Sequence, residues 1–156
     1  MDRPNPGSNR KSNGPVGGRA PLVLSALLVT FVGTRVYLHA NPYSNFDVAG
    51  YNVHHLFTGI LLLVTGAVPL VLRSGRTRLL DACALVFGAG LALCLDEWVY
   101  LIATDGSDTS YLLPVSLWGG VVMIALGVCY IVAVWLFFPG NREADSQSDS
   151  PRHGQA

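Results

Sequence analysis

The segment LLDACALVFGAGLALCLDEWVYLIA (79–103) is long and apolar, and it carries an Asp–Glu pair near its end. A helix of about 20 apolar residues is enough to cross the hydrocarbon core of a bilayer. In lipid, every backbone N–H and C=O group must be satisfied within the segment, so this stretch is predicted to be a helix rather than a strand. Asp96 and Glu97 would then lie inside a span, where ionisable groups are costly and face the protein interior.

Further apolar blocks lie on both sides of this segment, and the predicted spans are 21–38, 53–72, 79–103 and 112–138. Block 21–38 is the shortest and contains Arg35. It is interpreted as a retained helix, because Leu38 is a poor residue for the −3 position of a signal-peptide cleavage site. The polar tails 1–20 and 139–156 are predicted to be disordered cytoplasmic tails. The sequence therefore predicts an all-α fold, an integral membrane four-helix bundle.

Composition supports the same class of protein. Of the 156 residues, 51% are hydrophobic and 13% are charged, and the mean hydropathy is +0.42. A soluble domain carries about 25% charged residues. Basic and acidic residues number 10 each, so no basic surface for nucleic acid is expected. The expected partner is the lipid bilayer, with a homo-oligomer or a larger membrane complex left open, and no nucleic acid.

The positions of lysine and arginine predict the orientation. Four of these cations lie in 1–20, three in 73–78 and two in 139–156, whereas the connections 39–52 and 104–111 contain none. Cytoplasmic connections are enriched in Lys and Arg. The chain is therefore predicted to be a multi-pass protein of the cytoplasmic (inner) membrane, with both termini cytoplasmic and both cation-free connections outside.

Apart from Asp81 at the inner boundary of span 79–103, the few charged residues and histidines within the predicted spans fall in the outer half: Arg35, His54, His55, Asp96 and Glu97. They come from three different helices at one level, so they are expected to converge on one polar site. Side chains of adjacent residues on a helix point about 100° apart. The two carboxylates are therefore expected to have different partners.

Three interpretations of this polar site stay open. A metal site would use His54, His55, Asp96 and Glu97 as ligands of a divalent ion such as Zn or Fe. A structural ion pair would join Arg35 to one of the two carboxylates, with the histidines hydrogen-bonded nearby. A proton or polar-substrate site would need no metal. One arginine cannot neutralise two carboxylates, so one acid is expected to be protonated, cation-bound or paired with a histidine.

Three functional hypotheses follow. As an enzyme or metal-binding protein, the chain would use His54 and His55 as ligands or acid/base groups and Asp96 and Glu97 as ligand and base. Arg35 would then hold an anionic group such as a lipid phosphate. As a transport component, it would use the same residues to conduct a proton or cation. As a structural accessory subunit, it would use a buried ion pair to fix helix packing.

Motifs of several known enzyme classes are absent from the sequence. It contains no HExxH of zinc proteases, no GxSxG nucleophile elbow and no ExxH of carboxylate di-iron bundles. No lysine lies in a predicted span, which excludes a retinal-type Schiff base.

Two segments carry a resemblance to a known group. GYNVHHLFTGILLL (50–63) contains HHxxxG, and FGAGLALCLDEWVYLI (87–102) contains a Gly-x-Gly followed by Asp-Glu-aromatic. Together with Thr34-Arg35, these motifs resemble a group of small prokaryotic four-span integral membrane proteins, over about residues 30–120. The resemblance implies a four-span architecture and a shared polar site, and it implies no particular reaction.

Overall fold

The structure, a computed structural model, describes residues 18–41, 47–48, 51–52, 54–75, 77–105 and 107–137. Its long helices are α1 (Ala20–Ala40), α2 (His55–Leu72), α3 (Arg78–Ala103) and α4 (Pro114–Phe137). A 3₁₀ helix, Asp108–Leu112, precedes α4. Between α1 and α2, two short strands, β1 (Asp47–Val48) and β2 (Tyr51–Asn52), pair antiparallel. Apart from residues 18–20, the predicted tails lie outside the described residues.

All four helices are long and apolar enough to cross a membrane, which confirms the expectation of four long apolar helices. Their bounds differ slightly from the predicted spans. Helix α2 begins at His55 rather than 53, and α4 begins at Pro114 rather than 112. Proline has no N–H to donate and its φ suits the first turn of a helix, so Pro114 is a natural first residue. Helix α1 continues to Ala40 rather than ending at 38, and Arg35 lies within it as predicted.

Helix α3 is the centre of the fold. Over an apolar stretch of 18 residues in α3, 44% of the residues are buried. The corresponding share is 11% or less in each of the other three helices. Helices α1, α2 and α4 all pack along α3, and α1 and α4 also touch each other. Among the described helices, α2 packs extensively only against α3. The helix that carries the Asp–Glu pair is therefore the one that all others contact.

Helices α2 and α3 approach each other through glycines. A Cβ atom on Gly66 would lie 2.6 Å from the backbone N of Phe87, and one on Gly90 would lie 2.6 Å from the backbone N of Leu63. No side chain fits at either position, which allows the close backbone contact that stabilises helix pairs in lipid. This contact fixes the position of α2 along α3.

A second set of contacts lies at the end of the fold where α3 begins. Arg19 Nε donates a 3.1 Å hydrogen bond to Asp81 Oδ1, and Arg19 Nη2 donates one of 2.6 Å to the carbonyl of Gly75. The two charged side chains are 29% and 40% exposed. This half-exposed pair ties the start of α1 to the start of α3.

Candidate functional site

All five predicted site residues meet at one end of the fold, called here the site end, where α1 ends and α2 begins. Asp96 and Glu97 on α3 are buried, with 1% of each side chain exposed. The imidazoles of His54 and His55 are about one quarter exposed, and the Arg35 side chain is 12% exposed. The predicted convergence of residues from α1, α3 and the start of α2 is thus what the structure shows.

The carboxylate of Asp96 pairs with Arg35. Arg35 Nε donates to Asp96 Oδ1 at 2.8 Å, and Nη2 lies 2.6 Å from the same oxygen. The remaining guanidinium donors reach the carbonyl of Tyr111 at 3.3 Å and the carbonyl of Ser116 at 3.0 Å, with the Ser116 hydroxyl also in range. We call these four residues the Asp96 clamp. It joins α1, α3, the 3₁₀ helix and α4 at one point.

Within the clamp, Tyr111 contacts both Asp96 and Arg35. Its hydroxyl donates to Asp96 Oδ2, and its ring centroid lies 4.2 Å from Arg35 Cζ, within cation–π range. Its ring also meets that of His55 edge to face, with centroids 5.3 Å apart. Burial and the neighbouring Asp96 charge raise the pKa of Tyr111 above its ordinary value, so the phenol keeps its proton and acts as a donor.

The carboxylate of Glu97 faces α2 instead. The backbone N–H of Leu56 donates to Glu97 Oε2, while Nδ1 of His54 and Nδ1 of His55 each lie 3.3 Å from Glu97 Oε1. Helix α2 has no side-chain hydrogen bond from its own N-cap residue, His54. Glu97 therefore satisfies a free N–H of the first turn of α2, where a negative charge is also favoured by the helix dipole. We call Glu97, His54 and His55 the histidine–glutamate group.

His55 Nε2 is buried and has no hydrogen-bond partner among the described atoms. Its nearest acid oxygen is Asp96 Oδ2, 3.7 Å away, which is the oxygen that already accepts from the Tyr111 hydroxyl. His55 therefore lies between the two halves of the site but is within hydrogen-bonding distance only of the Glu97 half.

A tight turn positions the 3₁₀ helix over the site. Asp105 accepts hydrogen bonds from Ser107 N at 3.1 Å and Ser107 Oγ at 2.8 Å, and also from Ser110 Oγ. These hydrogen bonds lower the pKa of Asp105 to about 2. Tyr100, buried on α3, donates from its hydroxyl to the carbonyl of Ser107 at 3.1 Å. The turn is thereby attached to the helix that carries both site carboxylates.

The predicted metal ligands are brought together, but they contact one another. In the described part of the chain, no group of three or more His, Cys, Asp or Glu side chains is arranged to hold a metal ion. The Nδ1 atoms of His54 and His55 each lie 3.3 Å from Glu97 Oε1. Donor atoms on a tetrahedral ion with bonds of about 2.0–2.1 Å are also about 3.3 Å apart, so this spacing fits a hydrogen-bonded group and a metal site alike, and the metal hypothesis stays a prediction.

The predicted anion-binding role of Arg35 also stays a prediction. The guanidinium donors that a phosphate would need are directed at Asp96, Tyr111 and Ser116. A bidentate bond to an external anion would compete with these contacts.

Sequence reasoning did not single out Tyr111, Ser116 or the Leu56 N–H as members of the site. Pro114 supplies a usable signal, because a proline that starts α4 places Ser116 in its first turn and Tyr111 just before it. The role of the Leu56 N–H follows only from the relative position of α2 and α3, which no local pattern in the sequence specifies.

Comparison with protein families, with curated proteins and with solved structures gives no match for this chain.

Proposed function

We propose that the chain is a four-span protein of the inner membrane, with both termini cytoplasmic and the site end facing outward. The alternation of cationic and cation-free connections supports this orientation. The four apolar helices support the number of spans. The site would then open toward the outer surface through the partly exposed imidazoles of His54 and His55.

Within this frame, the function that the site supports best is proton exchange by the histidine–glutamate group. Asp96 and Glu97 are both buried, and the guanidinium of Arg35 is bonded to Asp96. A buried carboxylate without a compensating positive charge is costly. Glu97 meets two imidazoles instead, so the missing positive charge is supplied by a proton held between Glu97, His54 and His55. This contact of one buried acid with two histidines is the observation that carries the proposal.

Proton exchange would take place with the outer side only. Helix α3 has no charged residue or histidine between Asp81 and Asp96, α2 has none after His55, and α4 has none. A path of charged residues and histidines toward the cytoplasmic side is therefore missing from these three helices. We infer an acid/base site acting on a lipid or another membrane substrate at the outer surface, rather than a proton conductor.

The Asp96 clamp serves a structural role in this proposal. Arg35 and Asp96 neutralise each other, and their partners Tyr111 and Ser116 come from two further elements. The clamp therefore sets the register of α1, α3 and α4 around the acid/base group. The hypothesis of an ion pair that fixes helix packing thus applies to this half of the site.

The test is the protonation state of the histidines in ¹⁵N-labelled protein in lipid vesicles, read from the imidazole nitrogen resonances. Glu97→Gln keeps the shape of the side chain and removes its charge, so an imidazolium within the histidine–glutamate group loses its counter-ion. We expect the imidazolium fraction summed over His54 and His55 at neutral pH to fall in the variant. His39→Gln is the matched control, because His39 is exposed on α1. Equal imidazolium fractions in the wild type and Glu97→Gln would refute the proposal.

Orientation needs a separate measurement. A reporter that is active only in the cytoplasm, fused to the C-terminus, is expected to be active. The same reporter inserted in the 104–111 connection is expected to be inactive. The reverse pattern would overturn the outward-facing site.

A further inference from the structure

Nε2 of His55 and the phenol of Tyr111 face the same oxygen of Asp96. Tyr111 donates its hydroxyl proton to Asp96 Oδ2, and His55 Nε2 lies 3.7 Å from that oxygen without a hydrogen-bond partner among the described atoms. An edge-to-face contact keeps the two rings next to each other. With the phenol bonded to Oδ2 and His55 Nε2 held 3.7 Å from it, a proton on Nε2 has no acceptor within hydrogen-bonding distance among the described atoms.

Buried N–H groups without an acceptor are rare in proteins, whereas buried acceptors without a donor are tolerated more often. The other nitrogen, Nδ1, lies 3.3 Å from Glu97 Oε1 and has an acceptor for its proton. From these contacts we propose that Tyr111 is a positioning residue that keeps His55 neutral with its proton on Nδ1. The inference rests on the proposed proton exchange and deepens it, because the exchangeable proton is then directed to His54.

His54 suits this role by position. Its Nδ1 contacts the same Glu97 oxygen, and its ring is 27% exposed at the start of α2. A proton arriving from the outer surface therefore reaches His54 and Glu97 without requiring a second N–H on His55. Because of Tyr111, the two carboxylates keep different partners. Asp96 pairs with Arg35, and Glu97 pairs with the imidazoles.

The experiment reads the His55 tautomer directly, from the ¹⁵N resonances of its ring at neutral pH in vesicles, with His55→Gln used for assignment. In the wild type we expect protonated Nδ1 and unprotonated Nε2. Tyr111→Phe keeps the ring and frees Asp96 Oδ2, so we expect Nε2 to become protonated in this variant. Tyr100→Phe is the control, because it removes a buried phenol whose hydroxyl donates to Ser107 rather than to Asp96. It is expected to leave the His55 tautomer unchanged.

Two results would overturn the inference. One is a wild-type His55 that carries its proton on Nε2, or on both nitrogens, which is decided without any variant. The other is a folded Tyr111→Phe protein with an unchanged His55 spectrum. Failure of the proposed function is a different outcome, since it appears as equal imidazolium fractions in the wild type and Glu97→Gln while the tautomer result stands on its own.

Discussion

Asp96 and Glu97 are consecutive residues of α3, yet their carboxylates contact different helices. Asp96 bonds to Arg35 on α1, whereas Glu97 caps the first turn of α2 through the Leu56 N–H. Successive side chains on a helix diverge by about 100°, so a helix at the centre of the fold can place one acid toward each neighbour. This divergence separates a structural ion pair from a group that exchanges protons.

The buried Arg35–Asp96 pair is expected to be costly to break on one side. Arg35→Met leaves Asp96 buried without its counter-ion, and Asp96→Asn leaves Arg35 buried without its counter-ion. Each should lower the free energy of unfolding by about 3–5 kcal/mol, and the double variant should lose less than the sum of the two. The measurement is unfolding of the purified protein in mixed micelles.

A matched control for this cycle is available at the opposite end of the fold. Arg19 and Asp81 form a pair whose side chains are 29% and 40% exposed. Because solvent screens such a pair, Arg19→Met and Asp81→Asn are each expected to change the unfolding free energy by about 0–1 kcal/mol. Equal effects of the two cycles would contradict the assignment of a structural role to the Asp96 clamp.

Glu97 is also expected to stabilise the start of α2. Glu97→Ala removes the acceptor of the Leu56 N–H, and loss of a helix cap costs about 0.5–2 kcal/mol. Glu97→Gln retains an acceptor oxygen and should cost less. Hydrogen exchange of the Leu56 amide distinguishes the two variants: we expect the fastest exchange in Glu97→Ala, and an unchanged rate in this variant would refute the capping role.

Much of this arrangement could be predicted from the sequence, because membrane spans and the burial of charges follow strong physical rules. The apolar blocks predict four helices, and the cost of charge in lipid predicts that Arg35, the two histidines and the two carboxylates converge on one polar site. The choice of Asp96 as the partner of Arg35 could not be predicted, since it depends on the rotation of α3 relative to α1. The role of Tyr111 could not be predicted either, because aromatic residues near span ends are common at membrane interfaces.

The close approach of α2 and α3 gives a prediction about helix packing. A Cβ atom on Gly90 would lie 2.6 Å from the backbone N of Leu63, so Gly90→Ala forces the helices apart. We expect it to cost about 1–3 kcal/mol of unfolding free energy. Gly33→Ala on α1 is the control, because nothing lies within 4 Å of its added Cβ, and it should be neutral or stabilising. Similar stabilities for the two variants would contradict the packing described.

Metal analysis separates the proton site from the metal hypothesis. Since no group of three or more His, Cys, Asp or Glu side chains in the described part of the chain is arranged to hold a metal ion, we expect less than stoichiometric Zn or Fe in protein purified without chelators. Elemental analysis of the wild type beside His54→Ala and Glu97→Ala provides the measurement. Stoichiometric metal in the wild type that is lost in both variants would overturn the proton-exchange proposal in favour of a metal centre.

The turn that holds the 3₁₀ helix should depend on pH through Asp105. Hydrogen bonds from Ser110 and Ser107 lower its pKa from 3.8 to about 2 in the folded protein. A carboxyl group whose pKa is lower in the folded state contributes its stabilisation above the unfolded pKa, and this is lost as the pH falls toward the folded pKa. We therefore expect the stabilisation from these hydrogen bonds to be complete above about pH 4, and Asp105 to be protonated with a midpoint of about 2, where the turn loosens. The Asp105 carboxyl ¹³C shift and the Ser107 amide shift should report the same midpoint, and Asp105→Asn should abolish the response of the amide. A midpoint near 3.8 would show that these hydrogen bonds do not hold the turn.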